Sequence, residues 1–204
     1  MPLEPVILAF DTSAAHCAAA LLVGDEIVQS RVEEMKRGQA ERLMPLLEEL
    51  LAEAGLGWRD LDAVAVGIGP GNFTGIRIAV STARGLALGL GRPAVGVDGF
   101  EAAGFGARRP VSCLIPTTRD MVYREDVTQE GVRGPMLQPR AEAESEIADL
   151  GYPIVPMPSI GETVANIARI AATRFAEALP RPAPLYIRAA DAAPPKDPAP
   201  AILP

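Results

Sequence analysis

Apolar positions along the first hundred residues fall into three patterns: continuous runs, strict alternation and helical stripes. Residues 6–10 form a short apolar run ending in Asp11-Thr12-Ser13, and residues 17–23 form a second. Gly24-Asp25 turns the chain, and residues 26–33 alternate, with Ile27, Gln29, Arg31 and Glu33 on one side. This predicts three antiparallel strands. Over residues 39–54, Leu43, Leu46, Leu47, Leu50, Leu51 and Ala54 recur at helical spacing, with acidic residues and Arg42 in most of the other positions. That predicts an amphipathic helix, interrupted early by Pro45 and ended by Gly55. Residues 63–68 are a continuous apolar run, as in a strand covered on both faces. Gly69-Pro70-Gly71-Asn72 punctuates it, and a helix over residues 74–90 follows.

This second helix is apolar almost all round, and it carries Ser81, Gly85 and Gly89 at spacing four. An interior glycine costs a helix roughly 1 kcal/mol relative to alanine. A row of small residues is therefore expected where another backbone comes close. The neighbour is either the chain's own sheet or first helix, or a helix of a partner.

Beyond it, residues 94–97 predict a strand, and Asp98 caps a helix from Gly99 to about Gly106. Arg108-Arg109-Pro110 reads as a boundary, dividing a first lobe (1–107) from a smaller second lobe (108–188). The second lobe predicts strands at 111–115, at 121–127 and near Val132, a helix at 142–150, a strand at 154–155 and a helix at 162–179. Val164, Ile167, Ala168, Ile170, Ala171 and Phe175 point inward from the last helix. Both lobes thus run strands, helix, strand, helix. Residues 185–188 predict a final edge strand that can return to the first lobe, and 189–204 a Pro/Ala-rich mobile tail.

Charge and composition narrow the chemistry. A net charge of −7 argues against a free-standing nucleic-acid binder, so any RNA is expected to be held by another subunit. No apolar run is long enough to span a bilayer, and the first residues lack a leader pattern, so a cytoplasmic location is expected. Cys17 and Cys113 lie in apolar runs and read as buried free thiols. The single histidine, His16, sits in a turn and reads as an exposed or half-buried structural residue. It leaves no HExxH motif, no histidine pair and no Ser-His-Asp set, so neither a catalytic residue nor a metal site is expected.

Two turns remain as candidate chemistry: Asp11, Thr12 and Ser13, and Gly69, Gly71, Asn72 and Thr74. Hydroxyls, a carboxylate and free backbone donors at a helix start suit a phosphate or a metal-bound water. The same residues also serve simply as turn formers. No Lys follows the glycines, so the second turn is not a Walker A loop.

Ile7-Leu8-Ala9-Phe10-Asp11-Thr12-Ser13, Arg42-Leu43-Met44-Pro45-Leu46-Leu47, the string Gly69-Pro70-Gly71-Asn72-Phe73-Thr74-Gly75-Ile76-Arg77-Ile78 with Gly85-Leu86-Ala87-Leu88-Gly89, and Leu185-Tyr186-Ile187-Arg188 together resemble the TsaB (YeaZ) family. The resemblance is dense over about residues 6–103. It implies an α/β fold of the actin/Hsp70/sugar-kinase (ASKHA) type, with two related lobes, each a mixed sheet with helices. It further implies a non-catalytic subunit of tRNA threonylcarbamoyladenosine biosynthesis. Such a subunit binds TsaD, with the ATPase TsaE, and meets tRNA only through the complex. No cofactor of its own is implied, and ATP or ADP would enter only within the complex.

In the family the two first-lobe helices pack on TsaD. That assigns Leu43, Leu46, Leu47, Leu50, Arg77, Ser81, Gly85 and Gly89 to a partner interface, which a homodimer could use in isolation. Two departures stand out. Gln39 replaces a common His, and Pro116-Thr117-Thr118-Arg119 precedes Val122-Tyr123 without the usual Asp. A nucleotide-dependent phosphotransferase and a metallopeptidase are the competing expectations.

Overall fold

The structure is a computed structural model and describes residues 4–187. The predicted tail at 189–204, and Arg188 of the predicted last strand, lie outside the described residues. The first sheet contains β1 (Val6–Asp11), β2 (His16–Val23), β3 (Glu26–Glu34), β4 (Ala63–Gly67) and β5 (Ala94–Val97), in the order β3-β2-β1-β4-β5. β1, β2 and β3 are antiparallel, as the hairpin pattern predicts, while β4 and β5 run parallel to β1. Helices α1 (Gln39–Glu53) and α2 (Phe73–Leu90) connect β3 to β4 and β4 to β5, and the short α3 (Gly99–Ala103) follows β5.

The second sheet is smaller. It contains β6 (Val111–Pro116), β7 (Met121–Val127), β8 (Val132–Pro139) and β9 (Ile154–Val155), in the order β8-β7-β6-β9. Helix α4 (Arg140–Leu150) leads from β8 to β9, and α5 (Ile160–Arg174) comes last. Two mixed sheets with crossover helices are the α/β fold of the actin/Hsp70/sugar-kinase type.

Burial explains the sequence pattern of the first sheet. β1, β2 and β4 are nearly continuous apolar runs because both sheet faces are covered. On one face Leu8, Phe10, Leu21, Val64 and Val66 meet Leu43, Leu46, Leu47 and Leu50 of α1 and Ile76, Ala79 and Ala83 of α2. On the other, Ile7, Ala9, Ala20, Ala65 and Val95 meet Val164, Ile167, Ala168 and Ala171. Those last four belong to α5. Chain order places α5 in the second lobe, but its apolar stripe covers the first sheet. Arg174 holds it there, donating to both Glu101 oxygens and to the Gly96 carbonyl.

Several predicted bounds shift. The helix predicted to 106 ends at Ala103, and the one predicted to 179 ends at Arg174. Residues 185–187 form no strand, although the Leu185 N–H donates to the Ile68 carbonyl at 2.8 Å and so ties this segment to the first lobe. Both cysteines are free and buried, and burial pushes each thiol up to about 11.

Candidate functional site

The two turns singled out by sequence lie against each other at the carboxyl ends of β1 and β4. Asp11 Oδ1 accepts from the Ser13 N–H at 2.8 Å, from the Ser13 hydroxyl at 2.7 Å and from His16 Nε2 at 2.9 Å. Thr12 donates its hydroxyl to the Gly75 carbonyl at 2.7 Å. The Asn72 N–H donates to the Ser13 carbonyl at 2.6 Å. The Asn72 side chain accepts from the Gly75 N–H at 2.9 Å, capping α2.

Glycine is required here chiefly by closeness. A Cβ on Gly71 would stand 2.3 Å from the Ser13 carbonyl oxygen, and one on Gly75 would stand 1.9 Å from that of Thr12. Gly69 alone among the residues of the turn also has positive φ, at 98°. Asn72 itself is an extended N-cap. One expectation is corrected by this geometry. His16 is buried and bonded to Asp11. No sequence pattern marks that pair; only the antiparallel β1–β2 hairpin brings the residues together.

These turns form one wall of a cleft between the lobes, with a volume of about 1170 Å³. Ser13, Gly71, Asn72 and Thr74 line it from the first lobe, Lys36 and Arg37 stand at its rim, and Pro116 to Thr118 face it from the second. Tyr186 closes part of it. Its ring stacks on Phe73 with centroids 4.9 Å apart, and its hydroxyl accepts from Arg77 Nε at 2.8 Å. The Arg77 guanidinium in turn lies 3.8 Å over Phe73. Two first-turn donors of α2 that an anion would use, on Asn72 and Gly75, are already committed within the protein.

The residues assigned to a partner interface separate into two groups. Leu43, Leu46, Leu47 and Leu50 are fully buried in this chain's own core, so they offer no surface to a partner. The leucine stripe is the inward face of α1. Its outward face is charged, with Arg42 bridging Glu33 and Glu49 and Arg31 bridging Glu49 and Glu53. Glu33 and Glu49 are held below the usual carboxylate range by hydrogen bonds to Arg42.

The α2 row faces out. Ser81, Gly85 and Gly89 are exposed, and a Cβ on either glycine would meet nothing within 4 Å. Leu88, on the same face, is 83% exposed, more than any other large apolar side chain among the described residues. Sequence reading missed Leu88 because an all-round apolar helix does not show which stripe stays uncovered. Arg77 starts the same face but is engaged by Phe73 and Tyr186.

Comparison with known proteins adds a family. The model for TsaD, tRNA N6-adenosine threonylcarbamoyltransferase, matches residues 26–186. The chain is 35% identical over 133 residues to a Haemophilus influenzae protein named tRNA threonylcarbamoyladenosine biosynthesis protein TsaB, covering 62% of this chain and 56% of that one. The chain thus spans about half the length of that curated relative. It is 32% identical over 199 residues to an uncharacterized Mycobacterium bovis protein, covering 92% and 94% of the two chains. A crystal structure of a Pseudomonas aeruginosa protein with similarity to peptidase YeaZ superposes with a TM-score of 0.66 at 27% identity, covering 90% of this chain and all of that one.

Proposed function

This chain belongs to the TsaD family and, within it, to the TsaB/YeaZ proteins, and from that premise we propose that it is a non-catalytic assembly subunit in tRNA threonylcarbamoyladenosine biosynthesis. In this reading it binds and stabilises a TsaD-type subunit and is joined by a TsaE-type ATPase. Its partner transfers threonylcarbamoyl to the adenosine beside the anticodon. The single observation that carries the reading is the uncovered α2 seam, where Leu88 projects beside Ser81, Gly85 and Gly89. Small residues let a second helix approach closely, and Leu88 supplies an apolar knob for it. The acidic balance fits a subunit that leaves RNA contact to its partner.

Reconstitution tests the reading. The modification of tRNA by the matching TsaD-type and TsaE-type proteins should fall by at least tenfold when this chain is omitted. Undiminished modification without it would remove the proposal. The second reading, a nucleotide-dependent phosphotransferase, draws on the interlobe cleft with Lys36 and Arg37 at its rim. It requires ATP turnover by the isolated chain.

A further inference from the structure

Helix α2 carries two charged side chains, Arg77 and Arg84, and no carboxylate, in a chain whose net charge is −7. Both arginines are exposed. With Leu88 they stand at i, i+7 and i+11, one stripe along the outward face. Seven residues of helix set the two arginines about 10 Å apart. Neither pairs with a carboxylate among the described residues, whereas Arg31, Arg42, Arg124 and Arg174 each do.

Arg77 has no counter-charge and is nevertheless held in place. Its guanidinium lies 3.8 Å over the Phe73 ring, and its Nε donates to the Tyr186 hydroxyl at 2.8 Å. Tyr186 is fixed in turn. Its ring stacks on Phe73, and the Leu185 N–H beside it donates to the Ile68 carbonyl at 2.8 Å. The stacking and the Nε hydrogen bond set the plane of the guanidinium and leave Nη1 and Nη2 without a partner among the described residues. Two parallel N–H donors on a fixed fork match the two oxygens of one carboxylate. The ordering of this long side chain is complete before a partner arrives, which lowers the cost of binding.

We infer that the α2 seam recognises a helix of the TsaD-type partner bearing two carboxylates, one seated on the Arg77 fork and one on Arg84, with Tyr186 as the positioning residue for the first. The inference rests on the assembly reading and adds the chemistry of recognition to it. A helix fits because Ser81 and Gly85, beside the arginines, let a backbone approach, and Leu88 ends the stripe in an apolar contact. A second copy of this chain is disfavoured, since two α2 helices would bring together four arginines and no carboxylate. Nucleic acid is disfavoured by the net charge of −7 and by Leu88, which offers a phosphate nothing.

The test measures affinity of the full chain for the TsaD-type partner from low to high salt, with the melting temperature of each variant as control. Arg77→Gln and Arg84→Gln should each weaken binding by about fivefold, flatten its salt dependence and melt with the parent. Arg77→Lys keeps the charge without the fork and should not recover the parent's affinity. Tyr186→Phe keeps the ring and removes only the hydroxyl. It should weaken binding by about threefold in the parent and leave Arg77→Gln unchanged, because its effect passes through Arg77. An equal effect of Tyr186→Phe in both backgrounds would overturn the positioning role. Parental affinity and salt dependence in both glutamine variants would overturn the inference and leave the assembly reading standing, whereas no binding by the parent would overturn both. Arginine-dependent self-association of the isolated chain, or arginine-dependent binding of tRNA to it, would give the seam a different occupant and overturn the inference as well.

Discussion

The two sheets of this protein are stabilised by different means. In the first, aliphatic side chains cover both faces, and helices from both halves of the chain are recruited to do so. In the second, the apolar clusters are small, and a charged network lies between β7 and α4. Arg124 donates from Nε and Nη2 to the two oxygens of Asp126 and from Nη1 to Glu146, while the Ser112 hydroxyl donates to Asp126. Arg124 and Asp126 are almost wholly buried. A short sheet with one helix of its own on that face has little apolar area to offer, and a saturated ion pair fills the space without leaving polar atoms unpaired. The difference places the proposed partner seam on the lobe whose packing is least sensitive to charge.

Breaking the network is the largest effect expected. Asp126→Ala strands Arg124 in the interior and should cost about 3–5 kcal/mol in chemical denaturation. Replacing both members, Arg124→Met with Asp126→Leu, should cost less than the single change, because no charge is left unpaired. A double variant as damaged as the single one would show that the network does more than fill space.

In the first lobe, Leu46→Ala should cost about 2–5 kcal/mol through the cavity it leaves, independently of pH. A loss that tracks pH would break the contrast between the lobes.

A third prediction uses pH alone. Burial, together with Asp98, Glu101 and Asp126, pushes the Glu125 carboxyl up to about 7. Its folded value is raised above the unfolded one, so the folded state holds the extra proton between about 4.5 and 7. Stability should therefore fall as pH rises through that window. Glu125→Gln should remove this slope and stabilise the protein at pH 8 by up to about 3 kcal/mol, with little effect at pH 4. Equal denaturation midpoints for parent and variant at pH 8 would refute it.

What the sequence made legible follows from these same contrasts. β1 to β4, α1 and α2 were readable because an apolar run, an alternation and a leucine stripe each have one structural meaning when both sheet faces are covered. The destination of α5 was not, because an amphipathic stripe states that a face is buried without stating against what. The leucines of α1 misled in the same way: strong periodicity identified a packed face, and that face was the chain's own core. Small residues gave the opposite result. Ser81, Gly85 and Gly89 were notable only for a cost, and the structure shows that nothing inside the described chain offsets it. The Asp11–His16 pair depends on how β1 turns back into β2, and although Arg124 and Asp126 stand two residues apart on β7, their burial and their contacts with Ser112 and Glu146 come from other elements that this segment does not encode.

The smallest effect expected on stability is also the one that tests the central claim most directly, that α2 presents a partner seam. Gly85→Leu places a side chain where the chain has open space. Two quantities are measured on this variant, its melting temperature and its affinity for the TsaD-type partner. The account predicts a melting temperature at or slightly above the parent's, since leucine favours a helix over glycine by somewhat under about 1 kcal/mol, and an affinity reduced at least tenfold by the lost close approach. Parental affinity, or a collapsed melting temperature, would contradict it.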